Sequence, residues 1–321
     1  MIVIINRFVN EHERRISPQL AEQLARRLQE PVWLADSVAD AARQAADADI
    51  VVGFNPKIDA ADLEQFPRLR WMHSMTSGVD RMPLARLAER GVLVTNSRGI
   101  HRTQIAEQMI GTMISFTRRL HLNIRNQLQA RWDVDYVPEQ LAGRTIAIVG
   151  AGSIGCELAR KCKAFDMRVA GVRQTAGDLE HFDQMVAFGG LPELLPVSDF
   201  VAVLLPLTPG TRHAFGRTEF ALMKRSAIFL NFSRGGVVDE TALVDALRQG
   251  EIAGAGLDVF SEEPLPSDHP LWSMEQVILS PHSSGLTAHL EMKEMELFGQ
   301  LASLFRNDGE MFNVIRPEQR Y

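Results

Sequence analysis

Two α/β domains built on parallel sheets are the fold class this chain predicts, and three features predict it. Its 321 residues exceed the roughly 100 to 200 of an ordinary domain. Short β-rich runs alternate with amphipathic segments from the first residues onward, and the alternation restarts near residue 145, the pattern of parallel sheets covered by helices. Between a strand and a helix at residues 150 to 155 stands a glycine-patterned turn.

In order, the first alternation runs through strand "MIVII", helix "PQLAEQLARRLQE", strand "PVWLA", helix "SVADAARQAA" and strand "DIVVGF", with further strands at "LRWMHS" and "GVLVTN". The pattern then changes. From His101 to about Ala130 a single long helix is expected, an inter-domain element with Gly111 as its only strong breaker. The second alternation takes in "RTIAIVG", "MRVAGV", "DFVAVLL", "AIFLNF", "IAGAGLDV" and "VILS". After Pro281 the chain returns to helix and ends in a polar tail. No repeat and no low-complexity linker interrupts it.

Composition narrows the function classes. With 40 acidic against 34 basic residues and a net charge of -6, general nucleic-acid binding is not expected. The apolar run "FVAVLLPL" from Phe200 contains a proline and falls far short of the roughly 20 residues that cross a bilayer, so no membrane span is expected. The opening "MIVIINRF" lacks the parts of a secretory leader, and a cytoplasmic location is the expectation. Cys156 and Cys162 lie six apart on one predicted helix, about 240° around its axis. Neither a disulfide nor a metal site follows.

The segment "TIAIVGAGSIGCELARKCKAF" carries the most specific local signal. Gly150 permits a tight turn, Gly152 lets backbone approach a pyrophosphate, and Gly155 lets the helix pack against the strand. The N–H groups at the helix start, at Ser153 and Ile154, face the anion. Strand before and helix after make a dinucleotide the expected cofactor. Arg173, eighteen residues after Gly155, ends the next strand, where enzymes that prefer NAD carry an acid that binds the ribose hydroxyls. "VRQT" has no acid there. Arg173 suits a 2'-phosphate, and Gln174 and Thr175 add neutral hydrogen bonds, so NADPH is the expected cofactor, with NADH possible. The alternative is a solvated arginine that stacks on adenine without discriminating.

"LLPLTPGTRHAFG", "MKRSAIFLNFSRGGVVDETALVDALRQGEIAGAGLDVFSEEPLP" and "HPLWSMEQVILSPHSSG" resemble, in order and spacing, the D-isomer-specific 2-hydroxyacid dehydrogenase family, which includes glyoxylate and hydroxypyruvate reductases. The resemblance extends from "SMTSGVD" to the terminal "FNVIRPEQRY". It implies two Rossmann-like, doubly wound domains: a discontinuous substrate domain of residues 1–98 and 288–321, and a dinucleotide-binding domain of residues 99–287.

By position, the family's Arg, Glu and His correspond to Arg234 in "SRGG", Glu263 in "SEEPLP" and His282 in "SPHSSG". Chemistry supports the same choice. A planar, always charged guanidinium binds carboxylate or carbonyl oxygens by paired hydrogen bonds, and an imidazole titrates near working pH and can supply a proton. A carboxylate on its second nitrogen fixes the tautomer. Glu263, five residues after Asp258, matches the family spacing and precedes Pro264, which restricts it to extended backbone; Glu262 is expected to be a solvated neighbour.

The resemblance further implies that Asp258 lies near the nicotinamide carboxamide, with a strand-end cap as its alternative, and that Leu205, Pro206 and Thr211 flank the adenine side. Ser77, Gly78 and Val79 in "SMTSGVD" correspond to the loop whose N–H groups receive the substrate carboxylate, and an ordinary turn would look similar. Phe54 is a candidate wall of the substrate pocket or a core residue; His73 and Met75 are weaker candidates. The expected activity is NADPH-dependent reduction of small 2-keto acids to D-2-hydroxy acids. A non-catalytic dinucleotide-sensing scaffold, or a formate, phosphite or phosphoglycerate dehydrogenase, are the alternatives. The resemblance also implies a homodimer, with Ile105 to Leu120 as a candidate contact face, although a buried helix would carry the same residues.

Overall fold

The computed structural model describes residues 1–6, 16–53, 60–79, 82–175 and 177–316. The chain divides into two compact units, one of Met1–Ile100 with Thr287–Tyr321 and the other of His101–Leu286.

The first unit holds strands β1 (Ile2–Ile5), β2 (Val32–Ala35), β3 (Ile50–Gly53), β4 (Trp71–Ser74) and β5 (Leu93–Asn96), all parallel, in the order β2-β1-β3-β4-β5. Four of these strands, β1, β3, β4 and β5, are buried almost throughout because helices cover both faces of a parallel sheet. On one face Val3, Ile5, Val51, Met72 and Val94 pack against Val38, Ala41 and Leu87. On the other, Ile2, Ile4, Ile50 and Trp71 pack against Ala21, Leu24, Phe298 and Leu301. The helix Leu290–Arg306 thus belongs to this unit although it follows the other in sequence. Serine caps begin the helices Pro18–Leu28 and Val38–Ala45: Ser17 accepts from the Leu20 N–H and Ser37 from the Asp40 N–H.

The second unit holds β6 (Thr145–Val149), β7 (Arg168–Arg173), β8 (Gln184–Ala187), β9 (Phe200–Val203), β10 (Ile228–Asn231), β11 (Gly254–Leu257) and β12 (Val277–Leu279) in the order β12-β11-β10-β9-β6-β7-β8, again all parallel. Strand order reverses beside β6, and the crevice outside that reversal is where such sheets bind ligands. The edge strand β8 is absent from the sequence reading. Its residues are half-buried or exposed, so it lacks the apolar run that marks the inner strands.

The expected helix from His101 to Ala130 is two helices, Arg102–Thr117 and Leu120–Leu128. Arg119 between them adopts a left-handed φ of 54°, its guanidinium lies over the Tyr136 ring, and the Thr117 carbonyl accepts from the returning Glu139 N–H. A long-range contact ends this helix, which is why local propensity did not reveal the break. Ile105, Met109, Ile110 and Met113, expected on a contact face, are instead buried against Leu158, Ala159 and Cys162 of their own unit. A helix that covers a sheet face and a helix that meets a partner carry the same apolar stripe.

Candidate active site

The turn after β6 is fixed by contacts that exclude side chains at two glycines. Gly150 has a φ of 111°, and a Cβ there would lie 2.7 Å from the Leu204 backbone; a Cβ on Gly155 would lie 2.5 Å from the Gly150 carbonyl oxygen. Above Gly152 there is open space within 4 Å. The helix Ser153–Ala164 starts here; the Cys156 N–H is the first to bond back, to the Gly152 carbonyl, which leaves the N–H groups of Ser153 and Ile154 at the positive end of the helix. The Ser153 hydroxyl is buried with no hydrogen-bond partner among the described residues. A pyrophosphate fits this set: it brings acceptors to stranded donors, at the one glycine where backbone is open to approach.

Arg173 and Gln174 stand at the carboxyl end of β7 with exposed side chains, and the Arg173 charge acts on Cys156 at the start of the neighbouring helix. Arg173 therefore lies on the glycine-turn side of the sheet. Leu205 is buried, while Pro206 and Thr211 share a loop closed on itself: the Thr211 hydroxyl donates to the Pro206 carbonyl at 2.6 Å and accepts from the Thr208 N–H at 2.8 Å.

Arg234, Glu263 and His282 all belong to this unit and follow β10, β11 and β12 in turn. His282 Nδ1 meets Glu263 Oε2 at 2.8 Å. The other Glu263 oxygen, Oε1, accepts from the Phe260 N–H at 3.0 Å. Burial pushes the Glu263 carboxyl up, but its bond to His282, the Phe260 N–H and the Arg234 charge together hold it below the usual range. Glu263, rather than Glu262, is the carboxylate on the imidazole. Its peptide bond to Pro264 is cis. His282 Nε2 has no partner among the described residues.

Two buried groups shape these loops. Asn231, 2% exposed, accepts from the Ser233 N–H and hydroxyl and donates to the Arg234 carbonyl at 3.3 Å; next to it, a Cβ on Gly235 would fall 2.0 Å from the Phe260 backbone. Only glycine lets the Arg234 turn lie against the loop that carries Glu263. Asp258, 1% exposed, is wrapped by the His282 loop. It accepts from the Ser280 hydroxyl at 2.5 Å, the Ser283 N–H at 3.0 Å, the Ser284 N–H at 3.1 Å and the Ser284 hydroxyl. Gln108 donates to the Ser280 hydroxyl from the helix Arg102–Thr117.

His282 has a left-handed φ of 49°, a conformation that costs a non-glycine residue roughly 1–2 kcal/mol. The Asp258 hydrogen bonds offset that cost. The carboxylate placed near the nicotinamide by resemblance thus has its oxygens engaged by the His282 loop. Gln108, Asn231, Gly235 and Ser280 escaped the sequence reading; the only signal for them was position beside "SRGG" and "SPHSSG" or on the preceding helix.

In the other unit, the turn after β4 has its carbonyls paired off. The Ser97 N–H donates to the Thr76 carbonyl at 3.2 Å, the Asn96 side chain to the Ser77 carbonyl at 2.6 Å, and the Thr76 hydroxyl to the Gly78 carbonyl at 2.8 Å. The N–H groups of Ser77, Gly78 and Val79 donate to no acceptor among the described residues. Consecutive free N–H groups on a held turn suit an anion. Met75 and His73 are both fully buried. Phe54 lies outside the described residues. No cluster of metal-ligating side chains occurs among the described residues, and no described helix is long and apolar enough to cross a membrane.

Comparison with known proteins bears on these observations. Residues 110–284 match the family model of the D-isomer specific 2-hydroxyacid dehydrogenase, NAD binding domain. A glyoxylate reductase of Korarchaeum cryptofilum is 34% identical over 278 residues, 85% of this chain and 84% of that one. Glyoxylate/hydroxypyruvate reductase B of Escherichia coli is 37% identical over 250 residues, 75% and 76% of the two chains. The crystal structure of a D-isomer specific 2-hydroxyacid dehydrogenase from Xanthobacter autotrophicus, in complex with NADPH and MES, superposes with a TM-score of 0.82 at 26% identity, over 100% of this chain and 99% of that one. With two doubly wound parallel sheets and a nicotinamide dinucleotide turn in the matched region, the chain belongs to the D-isomer-specific 2-hydroxyacid dehydrogenase family and is an NAD(P)-dependent enzyme of that family.

Proposed function

We propose that this protein is an NADPH-preferring reductase of small 2-keto acids such as glyoxylate or hydroxypyruvate, and that His282 is its general acid. The observation that carries the reading is the Glu263–His282 pair. A carboxylate on Nδ1 fixes the orientation of the imidazole, and this leaves Nε2 to give a proton to a carbonyl oxygen.

A reduced nicotinamide, when bound, supplies the hydride. The chain's own residues do the rest. His282 Nε2 protonates the oxygen that becomes the hydroxyl, and Glu263 stabilises the imidazolium before the proton leaves. Arg234 holds the carbonyl and carboxylate oxygens by charge-assisted hydrogen bonds. The N–H groups of Ser77, Gly78 and Val79 receive the carboxylate. Ser153, Ile154 and the three glycines of the turn hold the pyrophosphate, with Leu205, Pro206 and Thr211 on the adenine side. Asp258 acts by fixing the loop of His282. Arg173, with Gln174 beside it, binds the 2'-phosphate; such a pair contributes roughly 1.5 to 3 kcal/mol, about one to two decades of affinity.

Steady-state reduction of glyoxylate, hydroxypyruvate, pyruvate and bulkier keto acids with NADPH and NADH tests this. The expected result is higher kcat/KM with NADPH on the smaller acids, with the preference falling by about one to two decades or reversing in Arg173→Asp. An unchanged cofactor ratio in that variant would refute the role of Arg173. Absence of turnover on the whole panel would refute the reductase.

The partner proposed at the surface is a second copy of this chain. Along and after the helix Leu120–Leu128, Leu128, Trp132 and Val137 are 83%, 92% and 87% exposed, and large apolar side chains left in water along one stretch of chain favour association. Trp132→Glu is expected to shift the sedimenting species from dimer to monomer; a wild-type monomer would remove the proposal. A cytoplasmic location is part of the same reading, supported by the dependence on a cellular nicotinamide cofactor.

A further inference from the structure

His73, on β4, is wholly buried yet polar, and nothing in the proton transfer uses it. Its ring lies among Trp71 and Phe298, with centroids 6.0 and 5.4 Å away. A phenylalanine or leucine would satisfy that packing alone. What distinguishes the imidazole is that both nitrogens are engaged by hydroxyls of the neighbouring strand end: Nδ1 meets Thr95 Oγ1 at 2.7 Å and Nε2 meets Ser97 Oγ at 3.2 Å. A neutral imidazole donates at one nitrogen and accepts at the other, and a hydroxyl can play either part, so the two bonds are complementary. Burial holds the group neutral, with its pKa pushed down to about 3.

Ser97 is the residue through which β5 grips the turn after β4. Its N–H donates to the Thr76 carbonyl at 3.2 Å, and its carbonyl accepts from the Ser77 hydroxyl at 3.5 Å. Thr95, at the other nitrogen, also accepts from Trp71 Nε1 at 2.8 Å. Strands β4 and β5 are therefore tied by side chains at the end of the sheet where Ser77, Gly78 and Val79 present their free N–H groups. We propose that His73 is a positioning residue for substrate binding: an uncharged imidazole that bridges Thr95 and Ser97 and thereby fixes the spacing of the three N–H donors that receive the substrate carboxylate. The inference rests on the reading of that turn as the carboxylate site.

The turn binds the carboxylate alike in ground state and transition state, so loosening it raises KM and leaves kcat in place. Three full-length variants test this: His73→Leu, which keeps the packing and removes both hydrogen bonds; His73→Gln, which can donate and accept; and Ser97→Ala, which removes the far hydroxyl without touching the aromatic core. Each is assayed with glyoxylate at saturating NADPH. Oxalate, a dicarboxylate that cannot be reduced, is titrated against the amide resonances of Ser77, Gly78 and Val79.

His73→Leu and Ser97→Ala are expected to raise KM and weaken oxalate binding by about ten-fold, equivalent to about 1.4 kcal/mol. Their kcat should stay within about three-fold of wild type with unchanged NADPH affinity, and His73→Gln should recover most of the loss. Oxalate affinity unchanged in His73→Leu and Ser97→Ala, or wild-type amides that do not respond to oxalate, would overturn the inference. Wild-type amides that respond to oxalate in a protein that reduces no keto acid would instead sink the reductase reading and leave the positioning role standing.

Discussion

The turn after β6 and the turn after β4 both present unpaired N–H groups at the carboxyl end of a parallel strand, but they are held by opposite means. The first is enforced by what is missing: no side chain at Gly150 or Gly155 fits, because each would strike backbone within 2.7 Å. A twelve-residue helix follows it and aligns the donors. The second is enforced by what is added. Asn96, Ser97 and Thr76 each donate to a carbonyl of the turn, and the N–H groups of Ser77, Gly78 and Val79 meet no acceptor among the described residues. Backbone exclusion gives a local motif, whereas side-chain support depends on a neighbouring strand about twenty residues away in the chain.

That contrast sets out distinct kinetic consequences. The turn after β6 should answer to cofactor, the turn after β4 to substrate. Of the changes that separate the two turns, the largest effect is expected from Gly155→Val, where overpacking costs roughly 1–3 kcal/mol, about one to two decades of dinucleotide affinity. Fluorescence titration with NADPH checks it, and tight binding by the variant would show that the turn is not held by exclusion.

Next in size is Glu263→Gln. The Glu263 carboxyl sits below its usual range, so it is an anion through neutral pH and holds the imidazole by a charge-assisted hydrogen bond. An uncharged amide removes that support. The kcat/KM for glyoxylate at neutral pH is then expected to fall about ten-fold, equivalent to about 1.4 kcal/mol, which steady-state assays measure; an unchanged kcat/KM would separate Glu263 from the proton transfer.

The smallest effect belongs to the second turn. Asn96→Ala removes one hydrogen bond to the Ser77 carbonyl, worth roughly 0.5–1.5 kcal/mol, so KM for glyoxylate should rise about two- to ten-fold with kcat and NADPH affinity unchanged. A fall in kcat instead would mean that the two turns are not separable in function.

The same difference explains what could be read in the chain alone. Strands buried on both faces, as in "IAIV" and "FVAV", announce themselves by apolar runs, and the glycine turn by its spacing; the half-exposed strand β8 and the break at Arg119 depend on contacts far along the chain and left no local mark. Among the candidate site residues, the Glu263–His282 contact was accessible because three loops follow three successive strands. Asp258 is different. Its family position was legible, but not that its carboxylate is wrapped by Ser280, Ser283 and Ser284, because a carboxylate at a strand end looks the same whether it faces a ligand or a loop. In the chain alone His73 is no more than a pocket candidate, because its bridge between Thr95 and Ser97 depends on the register of β4 against β5.

The most direct test is glyoxylate-dependent oxidation of NADPH, followed at 340 nm, in wild type and His282→Gln. The expected result is steady turnover by the wild type and a loss of roughly 10²- to 10⁴-fold in kcat for the variant, the usual range for removal of a general acid, with NADPH affinity preserved. Wild-type turnover in His282→Gln would contradict the account.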